Sequence, residues 1–267
     1  FYLAMWGLAA SAVYRLAWVT ARYLRMQDGR MPSSDERAIF WKSANGLSAY
    51  ALAAVGVTAV DHALVGYLAE VPMQDLAIWR YGAQELPLLL GVVSAANVTS
   101  LTEMQGGWAE MLQHLRRRTS KISLVAIPLS ILLMLSSGWW WPLVFSEDLW
   151  PAHVIFNTML LIVPSRLVLT TPLLVSLDLS KMMMYTGWAA NAINVILSLV
   201  LAAWFGLLGI AVGTVIAFTL ERIVYVYLLA QRGHRFASYV EAPLWWLGSV
   251  ALLISYVLAT RFDLLLG

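Results

Sequence analysis

The sequence predicts an all-α protein, a polytopic transmembrane helical bundle of about eight spans. Three observations lead there. Long apolar runs recur along the chain, each close to the roughly 20 residues that a helix needs to cross a bilayer core. The hydrophobic fraction is 61% and the charged fraction 12%, where a soluble domain has about 25% charged residues. Twelve of the seventeen Lys and Arg residues fall in alternate gaps between the runs, the pattern expected when basic loops stay on the cytoplasmic side.

The runs cover approximately residues 1–21, 45–69, 79–101, 122–143, 152–177, 183–203, 207–230 and 243–261. The first begins at Phe1 with no charged n-region and no small-residue cleavage site, so it reads as the tail of a helix in a longer protein. Basic gaps hold Arg22, Arg25, Arg30, Arg37 and Lys42, then Arg116, Arg117, Arg118 and Lys121, then Lys181, then Arg232 and Arg235. The gaps between them hold Glu70 and Asp75, then Glu147 and Asp148, then no charge. One orientation satisfies them all. Trp79, Trp139 to Trp141, Trp150, Trp204, Trp245 and Trp246 lie at span ends, where an indole anchors at headgroup depth.

Two connections are not minimal turns. Residues 22–44, with Gly29, Pro32, Ser33, Ser34 and mixed charge, read as a polar cytoplasmic linker between two bundles. Residues 103–121 read as an amphipathic helix lying at the cytoplasmic surface. There Trp108, Met111, Leu112 and Leu115 recur at helical spacing opposite Glu110, Gln113 and the arginine triplet. That triplet fits a contact with anionic lipid better than a substrate site.

Charge also bounds the partners. The net charge of +2 is spread beside spans and forms no patch, so no nucleic-acid partner is expected. With no cysteine, disulfides, thiolate nucleophiles and cysteine-ligated metals are excluded. Enzyme signatures are scarce. The four histidines are scattered without metal-ligand spacing, and no phosphate-binding or dinucleotide-binding glycine loop occurs. No cofactor and no metal site are expected, and the chain does not read as an enzyme.

The informative residues are polar groups inside spans. A charge at mid-bilayer depth costs about 2.5–3.5 kcal/mol on insertion scales, so such groups face a cavity or a partner. Asp61 lies well inside the second run, on one helical face with Tyr50, Ala54 and Thr58. Glu85 lies about as far beyond the next turn, at similar depth in an antiparallel pair. Arg80 shares a face with Gln84, Pro87, Gly91 and Ser94, and an Asp61–Arg80 salt bridge is one reading of these charges.

Arg166 lies near the middle of a run of about 26 residues, flanked by Pro164 and Pro172, which free the carbonyls of Leu160 and Val168. Irregular backbone at such depth is tolerated where it is packed in protein or lines a wet cavity. A cation there suits an anion such as phosphate; paired with Asp61 or Glu85 it is instead structural. Both readings stand. Thr170 in this segment is a further cavity-lining candidate. Asn191 and Asn194, with Gly187 and Ser198, form a polar face that suits either a cavity or interhelical hydrogen bonds. Gly209, Gly213 and Ala217 form a close-packing seam. Glu221 and Arg222 are placed at the cytoplasmic interface. Pro87 and Pro128 are further sites for a bend.

The strings DHALVGYLAE from Asp61 and AIWRYGAQELP from Ala77, then VPSRLVLTTPLLVSLDLSK at 163–181 and NAINVILSLVLAAWFGLLGIAVGTVIA at 191–217, resemble the second lobe of oligosaccharide flippases. These are polysaccharide exporters of the multidrug/oligosaccharidyl-lipid/polysaccharide superfamily. The resemblance covers about residues 45–230. It implies two lobes around a cavity that opens alternately to each side. On that mapping 1–21 ends the first lobe, 22–44 joins the lobes, 45–230 is a six-helix C-terminal lobe, and 231–267 adds a transmembrane helix. The N-terminal helices of the same protein would be the partner that completes the cavity, and one lobe alone would not transport.

The implied activity is flipping of an undecaprenyl-pyrophosphate-linked oligosaccharide across a bacterial inner membrane, driven by H+ or Na+. Arg166 and Arg80 would hold the pyrophosphate and Asp61 and Glu85 would couple the ion, while Tyr50, Thr58, Gln84, Thr170, Asn191 and Asn194 would line the cavity. Membrane lipids complete the expected partners. Two other readings are a drug/cation antiporter of the same fold, which would favour acidic groups in the cavity, and a membrane glycan polymerase or ligase. The latter typically needs a large outer loop, and the outer gaps here span roughly two to nine residues.

Overall fold

The computed structural model describes residues 49, 52, 56, 59–68, 72–84, 87–102 and 107–266. All belong to the second of two compact units, Phe1–Asn45 and Gly46–Gly267. The expected span 1–21, the linker 22–44 and the site candidates Tyr50, Thr58 and Glu85 lie outside the described residues.

The described residues are helical, with no strand among them. The helices are α1 (59–68), α2 (Pro72–Gly82), α3 (Pro87–Thr102), α4 (Trp108–Val144), α5 (Ala152–Leu160), α6 (Val163–Leu167), α7 (Thr171–Ser176), α8 (Ser180–Phe205), α9 (Leu207–Gln231), α10 (Phe236–Tyr239) and α11 (Ala242–Leu266). Among the described residues five segments are long and apolar enough to cross a bilayer: α4, Ala152–Ser176, α8, α9 and Ala242–Arg261. Large apolar side chains stay exposed on their outer faces, among them Leu132 on α4, Ile196 on α8, Ile223 on α9 and Val257 on α11. In water such a surface would be costly, whereas against lipid tails it costs little. This is a helical bundle of membrane type.

Ala152–Ser176 is the centre of the bundle. Its apolar window is 78% buried, against 17–44% for the other four segments. It is also the broken one, and the prolines explain the breaks. Pro164 has no N–H to give Leu160, and the chain there tightens to short-range bonds, Leu161 N to Thr158 O at 3.0 Å and Ile162 N to Met159 O at 3.1 Å. Pro172 has no N–H to give Val168 O, and the backbone leaves the helix at Val168, which is extended at φ −82°, ψ 94°. Val168 N bonds Ser165 O, which leaves Pro164 O to accept the indole N–H of Trp245 at 2.8 Å. The expected span 152–177 is therefore three short helices.

Two other expectations are corrected. The span expected at 79–101 is split into α2 and α3. Pro87 disfavours helix at the residue before it, so a helix restarts there instead of running through. In addition, α2 begins at Pro72, inside what was expected to be an outer gap. The separate surface helix 103–121 and span 122–143 are one helix of 37 residues, α4, with Pro128 inside it. Its N-terminal stretch continues the same helix and has partners of its own: Met111 and Leu115 are buried, and α4 packs on α10 and α11.

The most extensive helix pair is α8 with α9. Gly206, at φ +57° and ψ −137°, makes the turn between them, a conformation open to glycine and strained for other residues. A Cβ on Gly209 would lie 2.2 Å from Leu201 O, and one on Gly213 would lie 2.8 Å from Ser198 Oγ. The glycine seam thus sets how closely the two helices approach.

Candidate functional site

Asp61 of α1 is 4% exposed and meets the α8–α9 hairpin. Its Oδ1 accepts the side-chain amide of Asn194 at 2.7 Å, and its Oδ2 accepts the hydroxyl of Thr214 at 3.0 Å. The Thr214 hydroxyl also lies 3.0 Å from Ile210 O, so its single proton has two competing acceptors. Ser198 Oγ lies 3.3 Å from Asn194 Oδ1 and 3.5 Å from Ile210 O. Two carboxylate oxygens, an amide oxygen, two hydroxyls and a main-chain carbonyl thus converge among three helices. Among the described residues Asp61 has no Arg or Lys ion-pair partner.

The local sequence accounts for this cluster. Asn194 and Ser198 are one turn apart on α8 and face the same way. Ile210 and Thr214 are likewise one turn apart on α9, and Gly213 between them lets the Thr214 face approach Ser198. Gly56 has the same effect on the Asp61 side, since a Cβ there would lie 3.2 Å from Asn191 Nδ2. Asn191 is buried beside the cluster.

A second site forms at the break in the central segment. Thr170 is fully buried between α6 and α7, and its hydroxyl accepts a hydrogen bond from Arg222 Nη1. The Arg166 guanidinium stacks over the Phe218 ring, 4.2 Å from its centroid, a cation–π contact that offsets part of the cost of a charge at depth. Phe218 and Arg222 are one turn apart on α9, as Arg166 and Thr170 are four residues apart on the broken segment. Two arginines therefore bracket the break.

The other sequence candidates go elsewhere. Arg80 and Gln84 are exposed, at the end of α2 and in the turn after it. The end of α2 at Gly82 and the non-helical Ala83 and Gln84 remove the continuous face expected from Arg80 to Ser94. The expected Asp61–Arg80 salt bridge does not form; Asp61 takes its hydrogen bonds from Asn194 and Thr214. Glu221 and Arg222 were expected at the cytoplasmic interface, and both are placed inside the bundle. Glu221 is 4% exposed and accepts the Tyr225 hydroxyl at 2.8 Å.

Thr214 is the residue that sequence reasoning missed, and Arg222 the one it misplaced. Thr214 lies in a Gly-rich seam, where a small hydroxyl reads as packing. Its signal was the spacing: four residues after Ile210, it points one turn along the same face.

At the end of the bundle that carries the arginine triplet, a clamp ties α4 to the chain between α9 and α11. Arg116 donates to both Glu241 oxygens, Nε to Oε2 at 2.6 Å and Nη2 to Oε1 at 2.9 Å. The hydrogen bond from Arg116 holds the Glu241 carboxyl below its ordinary value. Trp108 Nε1 donates to His234 Nδ1 at 3.2 Å, with the two rings 4.6 Å apart.

The chain matches no protein-family model, no curated protein and no solved structure.

Proposed function

We propose that this chain belongs to a flippase which carries an undecaprenyl-pyrophosphate-linked oligosaccharide, or a related glycolipid, across a bacterial inner membrane by alternating access. The observation that carries the reading is the Asp61 cluster. A carboxylate buried among three membrane-type helices, held by neutral donors and facing further oxygens, suits reversible occupation by H+ or Na+. Loss or gain of the ion changes what Asn194 and Thr214 can donate to, and so changes how α1 packs on the α8–α9 hairpin. Occupancy is thereby linked to helix arrangement, as coupling requires.

The substrate class rests on the resemblance in sequence and on Arg166. This cation lies beside a helix break in the most buried segment, where a phosphate would find a guanidinium donor and irregular backbone. Arg80, exposed at the end of α2, would meet the phosphate at the opposite mouth of the passage. The basic end of the bundle is then the cytoplasmic one.

Deletion of the gene that encodes this chain tests the proposal. The expected result is lipid-linked oligosaccharide trapped on the cytoplasmic leaflet, restored by the wild-type gene and not by Asp61→Asn or Arg166→Ala. Glycan export unchanged by Asp61→Asn removes the coupling role, and export unchanged by Arg166→Ala removes the phosphate role. Loss of resistance to cationic drugs with glycan export intact replaces the flippase with an antiporter.

A further inference from the structure

A cleft of about 730 Å3 runs between α9 and α11, floored by α6 and closed at one end by Phe236 of α10. Its volume lies within the roughly 300–1,000 Å3 of ligand sites. Val215, Ile223 and Val226 form one wall and Trp245, Leu252 and Leu253 the other. Ile223, Trp246 and Leu253 are more than half exposed, so the cleft opens onto the apolar outer surface and not onto water.

The polar groups in its lining narrow the occupant. Three hydroxyls are present, and all three are turned back onto their own helices. Ser165 donates to Ile162 O, Thr219 to Val215 O and Ser249 to Trp245 O. None has a hydrogen left to donate to a ligand. The exception is Arg222, which also lines the cleft. Its guanidinium lies 5.4 Å from the centroid of the Tyr225 ring and gives one of its five N–H donors to Thr170, but its Nε has no hydrogen-bond partner and among the described residues no carboxylate pairs with it.

A cation among membrane-type helices without a counter-charge is costly, and an anion in the cleft would relieve it. Trp245 and Trp246, in the first turn of α11, sit in the same cleft, and tryptophans mark headgroup depth. Trp245 is held there by its bond to Pro164 O. Apolar walls, one cation and an interfacial indole pair describe a lipid with one anionic headgroup.

We propose that this cleft binds an anionic glycerophospholipid of the leaflet at the basic end of the bundle, with an acyl chain between α9 and α11 and the phosphate held by Arg222. The occupant is a resident lipid and not the transported one, so the inference does not rest on the flippase reading.

Native mass spectrometry of the full chain tests it. The protein is delipidated in detergent and offered phosphatidylglycerol, phosphatidylcholine or undecaprenyl phosphate at equal concentration. One retained phosphatidylglycerol is expected, at about fivefold preference over phosphatidylcholine, the factor that one cation near an anionic headgroup supplies. Arg222→Gln should abolish the preference and Arg222→Lys keep most of it. Ser249→Phe, which fills the cleft from its lipid-facing wall, should reduce retention of both glycerolipids and covers the case in which the Arg222 variants do not fold. Equal retention of the two glycerolipids by the wild type, retention unaffected by Ser249→Phe, or preference for undecaprenyl phosphate over phosphatidylglycerol would overturn the proposal.

Discussion

Asn194 gives its side-chain amide to Asp61 at 2.7 Å across 133 residues of sequence, and Thr214 meets the other oxygen of the same carboxylate. These bonds join α1 to the α8–α9 hairpin. Removing one donor leaves a buried acceptor unsatisfied, at about 1–3 kcal/mol. Thr214→Val should therefore lower the thermal midpoint in detergent clearly, and Asn194→Leu should do so at least as much. Asp61→Asn keeps a side chain that can still hydrogen-bond, and should cost less than Asp61→Leu.

Close approach of α8 and α9 depends on Gly213. A Cβ there would stand 2.8 Å from Ser198 Oγ and 2.9 Å from Ser198 N. Gly213→Ala should destabilise by about 1–3 kcal/mol, the range for overpacking. The double variant Gly213→Ala, Ser198→Ala should recover only part, because the backbone nitrogen remains in the way. Full recovery on unfolding would mean that the hydroxyl alone sets the spacing.

The indole of Trp245 satisfies a carbonyl that the proline break released. Trp245→Phe keeps most of the apolar contact and removes the donor. A loss of about 1 kcal/mol in unfolding free energy is expected, the net value of one hydrogen bond. A variant as stable as the wild type would show that water or lipid serves Pro164 O equally well.

Arg116 and Glu241 make a pH-dependent tie at the basic end. Arg116 lowers the Glu241 pKa, so the stabilisation is complete above the ordinary carboxyl value of 4.5 and is lost as pH falls through the depressed one. Thermal midpoints recorded between about pH 6 and pH 3 should fall more steeply for the wild type than for Arg116→Gln. The difference should shrink at high salt, since both side chains are solvent-accessible.

Much of this was readable in the residues. Asp61 and Asn194 stand out because a polar side chain in an apolar run needs a reason. Pro164 and Pro172 announce their breaks through the missing N–H. The continuity of α4 was not readable: an amphipathic stretch looks alike whether it lies on a membrane or rises from it, and only contacts such as Met111, Trp108–His234 and Arg116–Glu241 decide. Arg222 was misplaced because a charge in the last third of an expected span reads as interfacial, and nothing in the sequence shows that its guanidinium turns onto Thr170 at the break. The Asp61–Arg80 pairing failed because opposite charge alone does not say which helices a carboxylate packs against, and Asp61 meets the α8–α9 hairpin.

At about 1.5 Å per residue, the 37 residues of α4 form a rod of roughly 55 Å, against about 30 Å of hydrocarbon. The surplus works as a lever arm: a small tilt within the bilayer becomes a displacement of several ångströms at the tip. Tethers from Trp108 to His234 and from Arg116 to Glu241 hold that tip, so α4 and the segment that joins α9 to α11 swing together or the tethers break.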